Sequence, residues 1–111
     1  MQENFNQDEV RKIIEQELTF TGGSEYLSDQ WLSALSIRIN DLILNDFDKL
    51  IYILYRLDIN ESKLMKLLND HRDTDAGKLI GELIIERQSQ KVLTRQSFSR
   101  DKTDIDEDEK W

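Results

Sequence analysis

His71 is the only histidine in the chain, and cysteine is absent. Without cysteine the chain has no disulfide, thiolate metal site or cysteine nucleophile, which is compatible with a reducing cytoplasm. A di-metal helical bundle requires Glu-x-x-His pairs, but Leu68 stands three residues before His71. We therefore interpret His71 as a lone surface histidine and predict neither a metal site nor a catalytic triad around it.

Two further patterns imitate ligand-binding loops only in part. Asp104, Asp106 and Asp108 alternate as at the start of a calcium loop, but Glu109 replaces the glycine that the sixth position requires. Gly22 and Gly23 lack the Lys-Ser or Lys-Thr that ends a phosphate-binding loop, so we expect a flexible connection there.

The many acidic pairs are all explained as helix caps or solvated faces, and no apolar pocket with converging carboxylates can be inferred from periodicity. We therefore predict no catalytic residue, no cofactor and no enzymatic activity.

A basic stripe is the most distinctive feature that could bind a partner. Arg87, Lys91 and Arg95 recur every four residues, which places them on one side of a helix. Apolar anchors accompany this stripe, and the predicted partner-binding residues are Arg87, Lys91, Val92, Arg95 and Phe98, with Leu93 beside them. The first hypothesis is that this helix docks on a protein partner or on a second copy of the chain.

The alternative hypothesis is nucleic-acid binding through the same stripe. Residues 87–102 carry five basic and one acidic side chain, whereas residues 103–111 carry five acidic and one basic. In this hypothesis the stripe contacts phosphates and the acidic end competes for it within the molecule. The net charge of −8 disfavours nonspecific attraction to nucleic acid or anionic lipid over most of the surface. A solvated basic helix with no partner remains the simplest interpretation.

Composition indicates how these residues are positioned. The chain has 111 residues, no proline and four glycines, so one helical domain with little to interrupt it is expected. We predict an all-α fold, a small bundle of four to five helices with an extended C-terminal helix and a disordered acidic tail. Residues 1–100 form the domain, with residues 1–7 as a flexible N-terminus, and residues 101–111 form the tail.

Residues 46–59 are the most apolar stretch and are predicted to be the central helix of the bundle, the hub helix. Its core-facing stripe is Phe47, Leu50, Ile51, Leu54 and Leu57. Asp46 is the predicted N-cap of this helix. Arg56, near its end, either caps the last carbonyls, forms a buried ion pair or binds a partner, and the first role is favoured.

Four other helices surround the hub helix in this prediction. The first runs from about Asp8 to Thr19, and the second from Ser24 or Ser28 to Asn45 with Trp31 in its apolar stripe. A fourth begins near Glu61 and is capped by Asn60 or Asp58. The last is capped by Asp73 or Thr74.

Targeting and membrane signals are not evident. The sequence begins with an acidic segment that lacks the basic and apolar pattern of a signal peptide. The longest apolar run, Leu50 to Tyr55, is far shorter than the roughly 20 residues that cross a bilayer. We expect a cytoplasmic protein with no membrane partner.

Parts of the sequence are similar to a known group of proteins. The segments Leu54-Tyr-Arg-Leu-Asp58, Glu61-Ser-Lys-Leu64 and Leu83-Ile-Ile-Glu-Arg-Gln88, with Asp46-Phe47, resemble a family of short, uncharacterised bacterial α-helical proteins over roughly residues 35–98. The resemblance implies a cytoplasmic helical module and brings no activity, ligand or catalytic residue. The function predicted from the residues is a noncatalytic protein-interaction or regulatory module that is able to self-associate.

Overall fold

The computed structural model describes the backbone of residues 7–109 and the side chains of residues 7–95. Five helices account for most of the described chain: α1 Gln7–Leu18, α2 Asp29–Asn45, α3 Phe47–Arg56, α4 Glu61–Asp70 and α5 Ala76–Glu109. No strand occurs in the described residues. The predicted all-α bundle with a long last helix is confirmed.

Side-chain caps start three of these helices where the sequence predicts them. Ser28 accepts from the backbone amide of Trp31, Asp46 from that of Lys49, and Asn60 from that of Lys63. At α5 the prediction of Asp73 or Thr74 is wrong, because the Asp75 carboxylate accepts from the backbone amide of Lys78 at 3.0 Å. The side chain of Asn40, on α2, contributes to this cap from another helix.

Asn40 links α2 to the first turn of α5. Its Oδ1 accepts from the backbone amide of Gly77 at 3.1 Å, while its Nδ2 donates to the Asp75 carboxylate at 3.0 Å. A Cβ on Gly77 would lie 2.5 Å from the Ser36 carbonyl oxygen. The absence of a side chain at Gly77 therefore permits the close approach of the two helices.

The core lies between α1, α2 and α5. Its largest fully buried side chains are Trp31, Ile14, Leu18, Leu35, Ile39, Leu50, Ile84, Val10 and Val92, and only Leu50 comes from α3. The predicted burial of Trp31 is confirmed. The α2–α5 pair, rather than the hub helix, is the centre of the bundle.

The α3 helix is peripheral, and the prediction that residues 46–59 form a central helix is wrong. Leu50, Leu54 and Leu57 are buried as expected, but Phe47 is 54% and Ile51 47% exposed. A ten-residue helix that packs on α2 through one face leaves its opposite apolar side uncovered. The excess apolar residues of this helix therefore lie at the surface.

The segment between α1 and α2 is anchored, although the sequence predicts a flexible connection. The Glu15 carboxylate accepts from the backbone amide of Gly22 at 3.3 Å and from the indole nitrogen of Trp31 at 2.8 Å. A Cβ on Gly22 would lie 1.9 Å from Cδ1 of Trp31. The first glycine is thus required by contact with the buried tryptophan.

The helix α5 carries helical backbone past residue 100, where the predicted domain ends. The side chains of residues 96–109 and the whole of residues 110–111 lie outside the described part of the chain. The predicted disorder of residues 101–111 therefore stays a prediction. So does the flexibility of residues 1–7, of which the structure describes only Gln7.

Candidate protein-binding groove

The first arginine of the basic stripe, Arg87, is engaged within the molecule. Its Nη2 donates to Oδ2 of Asp58 at 2.7 Å and its Nε donates to the Asp58 carbonyl at 3.2 Å. The hydrogen bond and charge of Arg87, with a smaller contribution from the charge of Lys91, lower the pKa of Asp58. Arg87 thus fixes the α3–α4 turn on α5.

Arg95 is likewise engaged, since it donates to the Glu9 carboxylate of α1. Lys91 lies between the two arginines and is exposed. The stripe therefore holds α5 to two other parts of the bundle, and only its middle residue projects into solvent without a described ion pair.

The apolar anchors predicted beside the stripe divide into three cases. Val92 is 1% exposed and belongs to the core, so its prediction as a partner contact is wrong. Leu93 is exposed. The side chain of Phe98 lies outside the described residues. Burial of Val92 follows from four-residue spacing, because it continues the buried face of α5 formed by Ile84 and Gln88.

Arg56 does not cap the end of α3, contrary to the favoured prediction. Its guanidinium makes a two-pronged contact with Glu17 of α1, with both donor–acceptor distances at 3.0 Å. This hydrogen bond from Arg56 is the main reason why the pKa of Glu17 is lowered, against an opposing effect of burial.

Other groups satisfy the carbonyls at the end of α3. The backbone amide of Ile59 donates to the Leu54 carbonyl at 3.1 Å, and Nε2 of the buried Gln88 donates to the Leu57 carbonyl at 2.8 Å. Asp58 adopts a left-handed conformation at φ 63°, as is common for the residue that terminates a helix.

An apolar groove opens between α3 and α4 on the side that α2 does not cover. Its volume is about 250 Å³, and it is lined by Phe47, Leu50, Ile51, Leu54, Tyr55, Ile59, Glu61, Leu64, Met65, Leu68 and Ile80. Buried Leu50, Leu54 and Leu64 form its floor, whereas Phe47, Ile51 and Met65 are about half exposed. Large apolar side chains gathered in one exposed depression are typical of protein-binding surfaces.

Two walls of helical spacing define this groove. Phe47, Ile51 and Tyr55 recur every four residues along α3 and form one wall. Glu61, Met65 and Leu68 are four and three residues apart along α4, which also places them on one side of that helix, and they form the other wall. Glu61 is the only acidic or basic residue in the lining of the groove.

A separate polar cleft of about 370 Å³ lies where the α3–α4 turn meets α5. Its charged side chains are paired, Asp58 with Arg87 at 2.7 Å and Lys63 with Glu86 at 3.7 Å. Each of these four charged side chains is therefore held against an opposite charge within the chain.

The residues tested for metal chemistry do not converge. His71 is exposed at the end of α4, where its backbone amide donates to the Leu67 carbonyl. Within residues 7–95 no three acidic or histidine side chains are grouped so that they could hold a metal ion. None of the helices in the described residues has the length and hydropathy needed to span a membrane.

The apolar composition of the hub helix is a signal in the sequence for the groove. The hub helix is too apolar for a helix with a single partner, since Ile53, Tyr52 and Tyr55 widen its apolar side. Such a surplus requires either a second internal neighbour or a solvent-exposed apolar face. Periodicity alone cannot distinguish these two outcomes, because both give the same pattern.

No family model matches the chain. No curated protein and no solved structure matches it either. The resemblance to short bacterial helical proteins therefore stays a prediction.

Proposed function

We propose that this chain is a noncatalytic protein-interaction module whose docking site is the groove between α3 and α4. The observation that supports this function is the row of exposed Phe47, Ile51 and Tyr55 facing Met65 across a depression with a buried apolar floor. Keeping such side chains in water is unfavourable, and a partner that covers them gains hydrophobic free energy.

A noncatalytic role agrees with the state of the acidic groups. The pKa values of Glu15, Glu17 and Asp58 are all lowered, and each carboxylate is held by hydrogen bonds that stabilise its charged form. A general acid at neutral pH needs the opposite shift. Operation in the cytoplasm is part of the proposal and is supported by the absence of cysteine.

The contacts of the basic stripe weaken the nucleic-acid hypothesis. Arg87 and Arg95 already bind Asp58 and Glu9, so a phosphate would have to replace an existing ion pair at both positions. Lys91 is the stripe residue that can be changed without breaking a described ion pair.

The test is recovery of partners from the native cell extract with matched variants. Ile51→Asp places a charge in the groove, whereas Ile37→Asp places the same charge at an exposed position of α2 outside the groove lining. We expect wild type and Ile37→Asp to retain the same partner and Ile51→Asp to lose it. Both variants are first checked for helical content by circular dichroism.

Two results would overturn the proposal. One is recovery of the same partners by wild type and Ile51→Asp, which excludes the groove. The other is the absence of any partner for wild type together with a strict monomer in sedimentation equilibrium. Loss of a bound nucleic acid in Lys91→Glu, with the groove variant unaffected, would favour the alternative function.

A further inference from the structure

We infer that the occupant of the groove is a cationic amphipathic helix supplied by a partner protein. The inference rests on the proposed function and names the chemistry of the partner, which that function leaves open. Three properties of the groove carry it: the helical spacing of its walls, the sign of the charge at its ends, and the distance between those ends.

The shape of the groove selects a helix. Two roughly facing rows, Phe47, Ile51 and Tyr55 on α3 and Met65 and Leu68 on α4, enclose a trough with an apolar floor. A helical ligand fills such a trough with side chains at positions i, i+3 or i+4, and i+7. Addition of an extended peptide as a strand instead needs the open edge of a sheet, and the described residues contain no strand.

The charge around the groove favours a positively charged ligand. The nearby basic residues are mostly neutralised within the chain, since Arg56 contacts Glu17, Lys63 contacts Glu86, and Lys66 contacts Asp70. Asp48 and Glu61, by contrast, have no ion pair within the described residues. Lys49 is the remaining basic residue of α3, so the two unpaired acids Asp48 and Glu61 outnumber the one unpaired base beside the groove.

These acids lie at opposite ends of the α3 wall. Asp48 is next to Phe47 in the first turn of α3, and Glu61 is the first residue of α4, after α3 has ended. Ten residues of helix span about 15 Å. A ligand helix that covers the groove therefore places apolar anchors in its middle and Lys or Arg about ten residues apart at its two ends.

A second copy of the chain is the weaker candidate for this site. A two-fold interface brings the same surface patch against itself. In a parallel arrangement Asp48 faces Asp48 and Glu61 faces Glu61, and in an antiparallel arrangement Asp48 faces Glu61. Both arrangements oppose like charges on a molecule of net charge −8.

The experiment uses three fluorescent peptides of about 15 residues, long enough to cover the groove. The first is a Leu/Lys amphipathic helix with lysines flanking a leucine stripe. The second has the same stripe with glutamates in place of the lysines. The third contains the residues of the first in a scrambled order that destroys the stripe. Binding to the full chain is measured by fluorescence anisotropy at physiological and high salt.

We expect the first peptide to bind and the other two to bind at least about tenfold more weakly at physiological salt, because each lacks either the charge or the apolar face. Ile51→Gln should weaken binding of the first peptide by about tenfold, whereas Ile37→Gln should leave the affinity for this peptide unchanged. Both residues are exposed isoleucines, so both variants are expected to fold.

A charge-reversal pair isolates the electrostatic contribution. Glu61→Lys and Glu82→Lys change the net charge equally, but Glu82 is exposed on α5 and does not line the groove. We expect Glu61→Lys to weaken binding of the cationic peptide by about three- to tenfold and to reduce the salt dependence of this binding. Glu61→Gln should have an effect between those of wild type and Glu61→Lys. Glu82→Lys should have a smaller effect, equal to that of net charge alone.

The possible outcomes separate the two proposals. Equal binding of the cationic and anionic helices, or equal effects of Glu61→Lys and Glu82→Lys, would overturn the cationic helix. Dimerisation of the wild type that Ile51→Gln abolishes, without peptide binding, would assign the groove to a second copy. In both cases an extract partner lost in Ile51→Asp would still support the proposed function, so the failure of one proposal does not imply failure of the other.

Discussion

The indole nitrogen of Trp31 donates a hydrogen bond to Oε2 of Glu15 across 2.8 Å, which joins a fully buried ring on α2 to a partly buried carboxylate on α1. The same carboxylate accepts from Nε of Arg11 at 2.9 Å and from the backbone amide of Gly22 at 3.3 Å. One glutamate thus satisfies a buried donor and holds the connecting loop closed over the tryptophan.

Glu15→Ala should lower the free energy of unfolding by about 2–3 kcal/mol, because it leaves the Trp31 nitrogen without an acceptor and releases the loop. Urea unfolding followed by circular dichroism measures this loss. Glu25→Ala, at an exposed position of the same connection, is the matched control and should change stability by less than about 0.5 kcal/mol. Equal losses in the two variants would show that the carboxylate is not holding the loop.

A pair of substitutions in α3 tests which side of this helix is buried. Leu54 is 5% exposed, so Leu54→Ala should cost about 2–5 kcal/mol. Ile51→Ala removes a side chain that is about half exposed and should cost less than about 1 kcal/mol. Thermal or urea unfolding gives both values. A large loss at Ile51 would mean that this face is covered and that no groove is open there.

Gly77 and Gly81 test the contact between α2 and α5. Alanine normally favours a helix over glycine by about 1 kcal/mol. At Gly77 the new Cβ would meet the Ser36 carbonyl oxygen at 2.5 Å, so Gly77→Ala should destabilise the chain despite this preference. At Gly81 the nearest atom is the flexible end of Leu35 at 3.1 Å, and Gly81→Ala should be close to neutral. Unfolding experiments that rank the two variants in the opposite order would contradict the described helix contact.

Local signals in the sequence were sufficient to predict most of the fold. Ser28, Asp46 and Asn60 were identified as candidate caps because a short polar side chain precedes each apolar run. The cap of α5 was missed because Asp73, Thr74 and Asp75 all suit the role. Asn40 then completes the cap at Asp75 through a contact 35 residues away, which no local pattern encodes.

The candidate site was harder to predict for the same reason. Arg87 and Arg95 are spaced as a binding stripe is spaced, but whether they face solvent depends on where Asp58 and Glu9 lie after folding. Likewise, Phe47 and Leu50 both belong to the predicted apolar stripe of the hub helix, and only the position of α2 determines which of them is buried. Spacing along a helix defines its faces, whereas tertiary packing decides which face is covered.

Acid should destabilise the protein through carboxylates whose pKa values are lowered. Burial raises the pKa of Glu15, but its hydrogen bonds to Trp31, Arg11 and Gly22 more than offset this effect, and the hydrogen bond from Arg56 lowers that of Glu17. A lowered pKa contributes stability that is fully present above the ordinary value of 4.5 and is lost as the pH falls through the folded-state value. Stability should therefore decrease as the pH is lowered from about 6 to about 3.

The contribution of one ion pair to this acid sensitivity can be isolated. Glu17→Gln and Arg56→Gln each remove one partner of the same contact, so urea midpoints measured across the acid range should fall less steeply in both variants than in wild type. A slope equal to that of wild type in both variants would show that this pair does not contribute to acid unfolding.

Thr19 offers a route to a more stable chain. It has φ 55° just after α1, where the backbone amide of Phe20 donates to the Glu15 carbonyl at 3.1 Å, and a β-branched residue is strained in this left-handed conformation. Thr19→Gly should raise the free energy of unfolding by about 0.5–1 kcal/mol, since relief of strain exceeds the added entropy of the unfolded chain. Asp58→Gly, at the equivalent position after α3, should raise the free energy of unfolding by less, because it also removes the carboxylate that binds Arg87. Urea unfolding that shows Thr19→Gly to be no more stable than wild type would mean that the threonine is not strained there.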